Sequence, residues 1–180
     1  MGGHSISTDS RAARPQLDWL TLAPSAPPSQ SLRHYQRSQG SLLGRWRFAR
    51  STRMRTPLLS TLQARFEQLR VGLCRTEMQA HRRVCSADGA IDPMAISALA
   101  QLTATMVMEV SVPEGLRWTV RGLTIEHLRR AESAVIALAR FDKTDWAETG
   151  LVGVPVTLSE TAGQEVARAV VSFAVAMRID

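Results

Sequence analysis

Apolar residues recur along much of the chain at the spacing of an α-helix. The pair Thr56-Pro57 combines a capping hydroxyl with a proline suited to the first helical position, and it predicts a helix that continues to about Val84. Asp92-Pro93 predicts a second, long helix for the same reason, and the proline of VPEG at 112–115 would interrupt it. The apolar positions of these two predicted helices include Leu62, Phe66, Leu69, Ile96, Leu99, Leu102, Met106 and Val110.

The helical pattern continues toward the C-terminus in two shorter segments. Thr124 would cap a helix whose apolar stripe contains Leu128 and Val135, and Ser159 would begin a last helix ending near residue 177. Only 152–157 is typical of a strand, and it is short. The sequence therefore predicts an all-α protein.

The charge of the chain indicates a polyanionic partner. Its net charge is +6 and its pI is about 10.8, and 21 of its 22 basic residues are arginine, because Lys143 is the single lysine. Arginine makes bidentate contacts with phosphate that lysine cannot make. Nucleic acid is thus the first candidate partner, although a GC-rich genome would produce the same bias toward arginine.

Signatures of an enzyme are absent from the sequence. It contains no phosphate-binding glycine loop, no paired histidines at metal-binding spacing and no nucleophile elbow. Cys74, His81 and Cys85 would share the first predicted helix, but only His81 and Cys85 could chelate an ion together, and a fourth ligand is missing. We therefore expect no catalysis, no cofactor, no bound metal and no membrane partner.

The predicted order of a medium, a long and a short helix leaves the long helix without enough of its own chain to cover it. This favours an obligate oligomer in which a second chain packs antiparallel against the apolar positions named above. Arginines near the connecting loops would then form phosphate clamps; these are Arg82, Arg83, Arg117 and Arg121.

Three segments resemble a core histone. The stretch LRHYQRSQGSLLGRWRFAR at 32–50 resembles the helix that precedes the fold in histone three. MAISALAQLTATMVMEV is similar to the start of that family's long helix, and RGLTIEHLRRA to its second loop and last helix. The resemblance implies a histone fold (helix–loop–long helix–loop–helix) with an extra N-terminal helix and a C-terminal helical extension. ADGAI and the last predicted helix resemble histone two-B, which is the second assignment.

The resemblance implies a DNA-packaging protein that pairs with another core histone, preferably of the histone-four class, and wraps double-stranded DNA. Such a protein would be an obligate hetero-oligomer in the nucleus, or in a viral factory and virion if a virus encodes it. The residues expected to contact DNA are Arg37, Arg45, Arg47, Arg50, Arg53, Arg55, Arg82, Arg83, Arg117, Arg121 and Thr124. The expected partner interface is formed by Leu62, Phe66, Leu69, Ile96, Leu99, Leu102, Met106, Val110, Leu128 and Val135.

The predicted domain organisation has four parts: a disordered tail at 1–31, a basic helix and linker at 32–55, a histone-fold domain at 56–141 and a C-terminal extension with a helix at 142–180. Two other functions fit the same composition. One is a helical RNA-binding subunit of a mitochondrial ribosome-type assembly, and the other is a helical adaptor that binds no nucleic acid.

Overall fold

The computed structural model describes residues 57–142, 146 and 150–177. These residues form two helices and six strands, a β-rich architecture. In chain order the elements are α1 (Pro57–Leu62), β1 (Arg65–Arg70), β2 (Leu73–Met78), α2 (Pro93–Ser111), β3 (Leu116–His127), β4 (Val135–Arg140), β5 (Gly150–Glu160) and β6 (Glu165–Met177). The prediction of an all-α protein is therefore wrong.

The six strands form one antiparallel sheet in the order β1-β2-β4-β5-β6-β3. Strand β6 lies between its sequence neighbour β5 and the distant β3, so β3 becomes an edge strand. Helix α2 contacts all six strands and packs against one face of the sheet. The sheet thus wraps around a single long helix, which forms the centre of the core.

Helix α2 begins where the sequence predicts it. The Asp92 side chain accepts a hydrogen bond from the backbone N–H of Met94 at 2.7 Å, and Pro93 follows as the first helical residue. The helix ends at Ser111, just before Val112-Pro113, because a proline disfavours helical geometry in the residue that precedes it.

Burial of α2 explains its composition. Ten of its residues are buried, and the helix is long and apolar enough to cross a membrane by length and composition alone. Because the sheet covers more than half of its most apolar stretch, it is the core helix of this fold rather than evidence for a membrane span.

The strands bury alternate residues, as the pleat of a sheet requires. In β5 the residues Val152, Val154, Val156 and Leu158 face α2, while the positions between them are exposed. In β6 Phe173 is fully buried, and its ring meets Trp118 of β3 edge-on at a centroid distance of 5.6 Å. These side chains fill the space between sheet and helix.

Two buried hydroxyls join α2 to β2. Thr103 Oγ1 donates its proton to the backbone carbonyl of Leu99 at 2.7 Å. Its oxygen must therefore accept the proton of Thr76 Oγ1, which lies 2.6 Å away, because Thr103 has no second proton to give. Both threonines are fully buried, so the pair satisfies hydroxyls that would otherwise be costly inside the core.

Gly72 connects the β1–β2 hairpin to two other elements. Its N–H donates to Ser111 Oγ at the end of α2, and its carbonyl accepts from Phe141 N, both at 2.9 Å. The residue has a φ of +74°, and a Cβ there would lie 2.8 Å from the carbonyl oxygen of Phe141. Only glycine fits this turn without displacing the chain that follows β4.

The helix predicted from Thr56-Pro57 to Val84 ends early. Helix α1 stops at Leu62, and Phe66 and Leu69 lie on β1, which pairs with β2 in a hairpin. Gln63 adopts a positive φ of 49° directly after α1, a conformation that ends a helix. The short α1 and the hairpin therefore replace the long first helix.

The two C-terminal helices are also absent. Thr124 lies within β3 and Val135 begins β4, while Ser159 lies in β5 and is followed by β6. The last of these segments is rich in valine, with four valines in β6, and valine favours the pleated geometry of a sheet. The strand predicted at 152–157 lies inside β5.

The predicted domain boundaries cross this sheet. The segments 1–31 and 32–55 lie outside the described residues, so the disordered tail and the basic helix stay predictions. Strands β5 and β6, placed in the predicted C-terminal extension, hydrogen-bond directly to β4 and β3.

Candidate functional site

The connection between β2 and α2 lines a surface cavity of about 560 Å³ that is largely open to solvent. All of its lining residues belong to the turn that precedes the core helix in the chain; they are Ala80, His81, Arg82, Cys85, Ser86, Ala87 and Gly89. Its lining therefore includes an imidazole, a hydroxyl, a thiol and a guanidinium, all within ten consecutive residues.

His81 organises the first turn of this connection. Its carbonyl oxygen accepts hydrogen bonds from Val84 N at 2.9 Å and Cys85 N at 3.2 Å, and its Nδ1 accepts one from Arg83 N at 3.3 Å. Because Nδ1 acts as an acceptor, the neutral ring carries its proton on Nε2. That Nε2 is buried and has no hydrogen-bond partner among the residues that the structure describes.

Ser86 and Asp92 form a hydrogen-bonded pair at the base of α2. Ser86 lines the cavity, and its Oγ donates to Asp92 Oδ2 at 3.1 Å. The other carboxylate oxygen caps the helix through Met94 N, and the backbone N–H of Asp92 donates to the carbonyl of Val84 at 2.8 Å. Two hydrogen bonds therefore fix the Asp92 carboxylate, and a third fixes the backbone of the same residue.

A second loop, 128–134, contacts the segment that connects the cavity-lining turn to α2. The backbone N–H of Ile91 donates to the carbonyl of Ala131 at 2.8 Å, and Arg130 forms an ion pair with Asp88 at 2.8 Å. This ion pair is largely exposed, so it contributes little to stability. The backbone bond instead ties the two loops into one unit.

Glu160 of β5 holds the same loop in place. Its Oε1 accepts the backbone N–H groups of Glu132 at 2.7 Å and Ser133 at 2.9 Å. These two donors lower the pKa of the Glu160 carboxyl, with Ser133 contributing most, because they stabilise its charged form. The carboxylate therefore stabilises the fold above its unfolded pKa, and this contribution disappears as pH falls through its lowered folded pKa.

We expect Glu160→Gln to reduce the melting temperature at neutral pH and to have little effect in acid. The charged acceptor of two backbone donors is lost at neutral pH, whereas in strong acid the wild-type carboxyl is neutral as well. Thermal unfolding followed by circular dichroism between pH 7 and about pH 3 measures the difference. Glu132→Gln, an exposed carboxylate in the same loop, is the control. If the difference in melting temperature between wild type and Glu160→Gln does not shrink in acid, the stabilising role assigned to the charged Glu160 carboxylate is contradicted.

The two cysteines lie on different elements instead of one helix. Cys74 is fully buried on β2, where burial raises the pKa of its thiol and makes it unreactive, and Cys85 is partly buried at the cavity. Within residues 57–142, 146 and 150–177, no three side chains of the ligand-forming types are grouped to hold a metal ion.

The residues predicted to contact DNA separate into three groups. Arg82 lines the cavity and Arg83 is in the same turn, whereas Arg117, Arg121 and Thr124 lie exposed on β3. The remaining residues lie outside the described part of the chain: Arg37, Arg45, Arg47, Arg50, Arg53 and Arg55. The structure thus brings only Arg82 and Arg83 together at the cavity.

Most residues of the predicted partner interface lie inside this chain's own core. Phe66 is partly buried and Leu128 is 41% exposed. The buried ones are Leu62, Leu69, Ile96, Leu99, Leu102, Met106, Val110 and Val135. They are covered by the sheet and α1, which removes the physical reason for an obligate second chain.

Sequence reasoning missed Ser86 altogether and interpreted Asp92 only as a helix cap. The signal that was available is their spacing: a serine six residues before an Asp-Pro helix start, in a turn containing Asp88 and Gly89. His81 was considered only as a metal ligand, and its role in the turn requires the folded backbone.

A family model matches residues 44–175, which is most of the chain, and its description is a domain of unknown function, DUF4442. No curated protein sequence matches the chain. A structural-genomics target whose name states no activity is 27% identical, with a TM-score of 0.73, and the match covers 82% of this chain and 98% of that one.

Two other solved structures are named thioesterases. The one from Haemophilus influenzae is 14% identical, with a TM-score of 0.61 over 68% of this chain and 85% of its own. The other is a glutamine-to-alanine variant from Pseudomonas aeruginosa. It is 20% identical, with a TM-score of 0.63, and the match covers 72% of this chain and 92% of that one. At these identities the likeness shows the fold alone, which is the hotdog fold of a sheet wrapped around a long helix.

These findings correct the histone interpretation. The resemblance to histone three or two-B is wrong, and so are the expected DNA packaging, the histone partners and the hetero-oligomer, because the chain has a different fold and a different family match. The expectation of no enzyme is corrected by neighbours named as thioesterases. The nuclear or viral location and the roles of individual residues stay predictions. The chain belongs to the DUF4442 family.

Proposed function

We propose that this protein hydrolyses acyl thioesters at the cavity lined by the 80–89 turn, which precedes α2. The observation that carries the proposal is the Ser86–Asp92 pair, in which a residue lining the cavity donates its hydroxyl to a carboxylate. Structural neighbours of the same fold that are named thioesterases support it.

Hydrolysis of a thioester requires a base for the attacking water and an acid for the departing thiolate. Ser86 donates its own proton to Asp92, so the lone pairs of its oxygen remain free for a water molecule in the cavity. The water passes a proton to Ser86 Oγ while Ser86 passes its proton to Asp92. The water oxygen bonds to the carbonyl carbon, the carbon–sulfur bond then breaks, and the thiolate recovers the proton along the same route.

Asp92 is the carboxylate best placed for this task. Asp92 caps helix α2, and the one carboxylate within the helix itself is Glu109, which lies near its far end. Asp88 is closer in sequence, but it is paired with Arg130 on the outside of the turn. Asp92 contacts a cavity-lining side chain directly, and each of its oxygens can still accept a further hydrogen bond.

The basic side chains favour a negatively charged substrate. Arg82 lines the cavity, and Arg83 lies exposed next to it. Guanidinium groups bind phosphate well, so the substrate class we propose is an acyl thioester with a phosphate-bearing carrier such as coenzyme A. Because both arginines are exposed, their attraction would be screened by salt.

The test is an assay of purified full-length protein with acyl-coenzyme A substrates of increasing chain length. We expect hydrolysis of these substrates. As salt is added, KM should rise because the attraction of the arginines is screened, while kcat should change little. Chromatographic detection of the released acid and coenzyme A avoids a thiol reagent that would also react with Cys85. No turnover above the buffer rate with any chain length would contradict the proposal.

A further inference from the structure

Strand β3 is the longer of the two edges of the sheet. It has twelve residues, about 40 Å of backbone, and among the described residues β6 is the only strand that pairs with it. An edge strand presents N–H and C=O groups that can pair with another strand, and short length, lysine or proline usually prevents this. The other edge, β1, is short, with six residues, whereas β3 is long and contains neither lysine nor proline.

The apolar side chains of β3 are only partly covered by this chain. On the neighbouring strand β6 the side chains that face α2, such as Phe173 and Val175, are buried. The corresponding side chains of β3 pack against the same core but stay partly exposed along the strand; they are Leu116, Trp118, Val120, Leu123 and Ile125. A further strand beside β3 would cover this row.

A β-bulge makes β3 symmetrical about its own centre. The register with β6 shifts between Val120 and Gly122, so Arg121 is an extra residue. The side chains that face α2 are therefore even-numbered before the bulge and odd-numbered after it. Two antiparallel copies of β3 can thus match their faces over the whole strand when even-numbered residues of one copy lie opposite odd-numbered residues of the other.

One register of this kind also pairs opposite charges. Centred on the bulge, it places Arg117 of one copy opposite Glu126 of the other, and Thr119 opposite Thr124, each pair occurring twice by symmetry. A shift by two residues would instead place Arg117 opposite Thr124, or Glu126 opposite Thr119. Opposite charges directly across two strands attract, so the centred register is favoured.

Both charged groups can take part in such a contact. Arg117 is exposed on β3 and has no ion pair with any of the described residues. Glu126 is exposed and lies across from Arg168 of β6, but two nitrogens of that guanidinium already donate to Glu165. A second copy would give Glu126 a cation of its own.

We infer that this protein forms a homodimer in which β3 pairs antiparallel with β3 of a second copy, in the register that places Arg117 opposite Glu126. The two sheets then continue as one, with both α2 helices on the same face, and the apolar row of β3 packs against its symmetry mate. The two Arg121 side chains approach the symmetry axis, each opposite Gly122 of the other copy, and solvent screens their repulsion because they are exposed. This inference is independent of the proposed hydrolysis.

Analytical ultracentrifugation of the full-length protein tests the dimer and its register. We expect wild type to sediment at twice the chain mass of 19.8 kDa. Arg117→Glu and Glu126→Arg should each raise the dimer dissociation constant at least about tenfold, because each creates two like-charged pairs. The double variant exchanges the charges and should return to within about threefold of wild type. Arg140→Glu, an exposed charge reversal on β4, is the control and should leave the constant unchanged.

Three results would overturn the inference. They are a wild type that stays monomeric at every concentration, a dimer that Arg117→Glu does not weaken, and a double variant that does not recover. Circular dichroism of each variant separates a weakened dimer from a misfolded chain.

Hydrogen exchange of the wild type decides the matter even if the variants fold poorly. Alternate backbone N–H groups of β3 point away from β6, so in a monomer they exchange rapidly with solvent. In the dimer they donate to the second copy, and their protection should increase with protein concentration. If these amides exchange rapidly in a sample that sediments as a dimer, the two copies meet elsewhere and the inference is wrong.

Discussion

Phe173→Ala is expected to lower the free energy of unfolding by about 3–5 kcal/mol. The ring is fully buried in β6 and packs edge-on against Trp118 of β3. Strand β6 joins β3 to the rest of the sheet, so a cavity at this position loosens the contact between an edge strand and the core. Urea unfolding should show a lower midpoint with an unchanged slope.

Val170→Ala is the matched control for this experiment. Val170 lies on the same strand as Phe173, but on the opposite face of the sheet, where it is 44% exposed. We expect its truncation to cost less than about 1 kcal/mol. A shift of β6 by one residue would exchange the two faces and reverse the order of the two effects. Equal or reversed losses would therefore contradict the register of β6.

The start of α2 could be predicted because its determinants are local. A capping carboxylate, a proline at the first helical position and a long apolar run lie within neighbouring residues of the sequence. The same locality explains why the end of the helix near Pro113 was also recognisable. None of these signals depends on what the helix packs against.

Strand β6 could not be assigned in the same way, because its sequence fits two periods. Val166, Val170, Phe173 and Met177 repeat at helical spacing, whereas Ala167, Ala169, Val171, Phe173 and Val175 alternate as in a strand. An apolar run of this kind is ambiguous by periodicity alone. Pairing with β5 and β3 decides the outcome, and the residues of β3 that pair with β6 lie 40 to 61 positions earlier in the chain.

The site was hidden for a related reason. Its shape depends on the hydrogen bond between Ile91 and Ala131, forty residues apart, and on Glu160 holding the second loop. The arginine-rich stretch at 32–50 looked more informative because it is compact in sequence, but it lies outside the described residues. Composition indicated an anionic partner and could not indicate a hydroxyl–carboxylate pair.

Asp92→Asn is expected to lower kcat by roughly 10²–10⁴-fold, the range for loss of a general base. Asparagine is as good a helix cap as aspartate, so Met94 N–H keeps its acceptor and the free energy of unfolding should change little. Asp92→Ala should lose the cap as well, which costs about 1 kcal/mol. The rate measured in the acyl-coenzyme A assay and the unfolding midpoint therefore respond differently in the two variants.

Ser86→Ala tests the same route from the cavity side. It removes the hydroxyl that connects water to Asp92 but leaves the cap and the carboxylate in place. If the proton passes through Ser86, this variant and Asp92→Asn should be slowed to a similar extent, and combining them should add little, because residues that act as a unit are not additive. Full activity in Asp92→Asn would show that the base lies elsewhere. An additive double variant would show that Ser86 and Asp92 act separately, with Asp92 reaching the water directly.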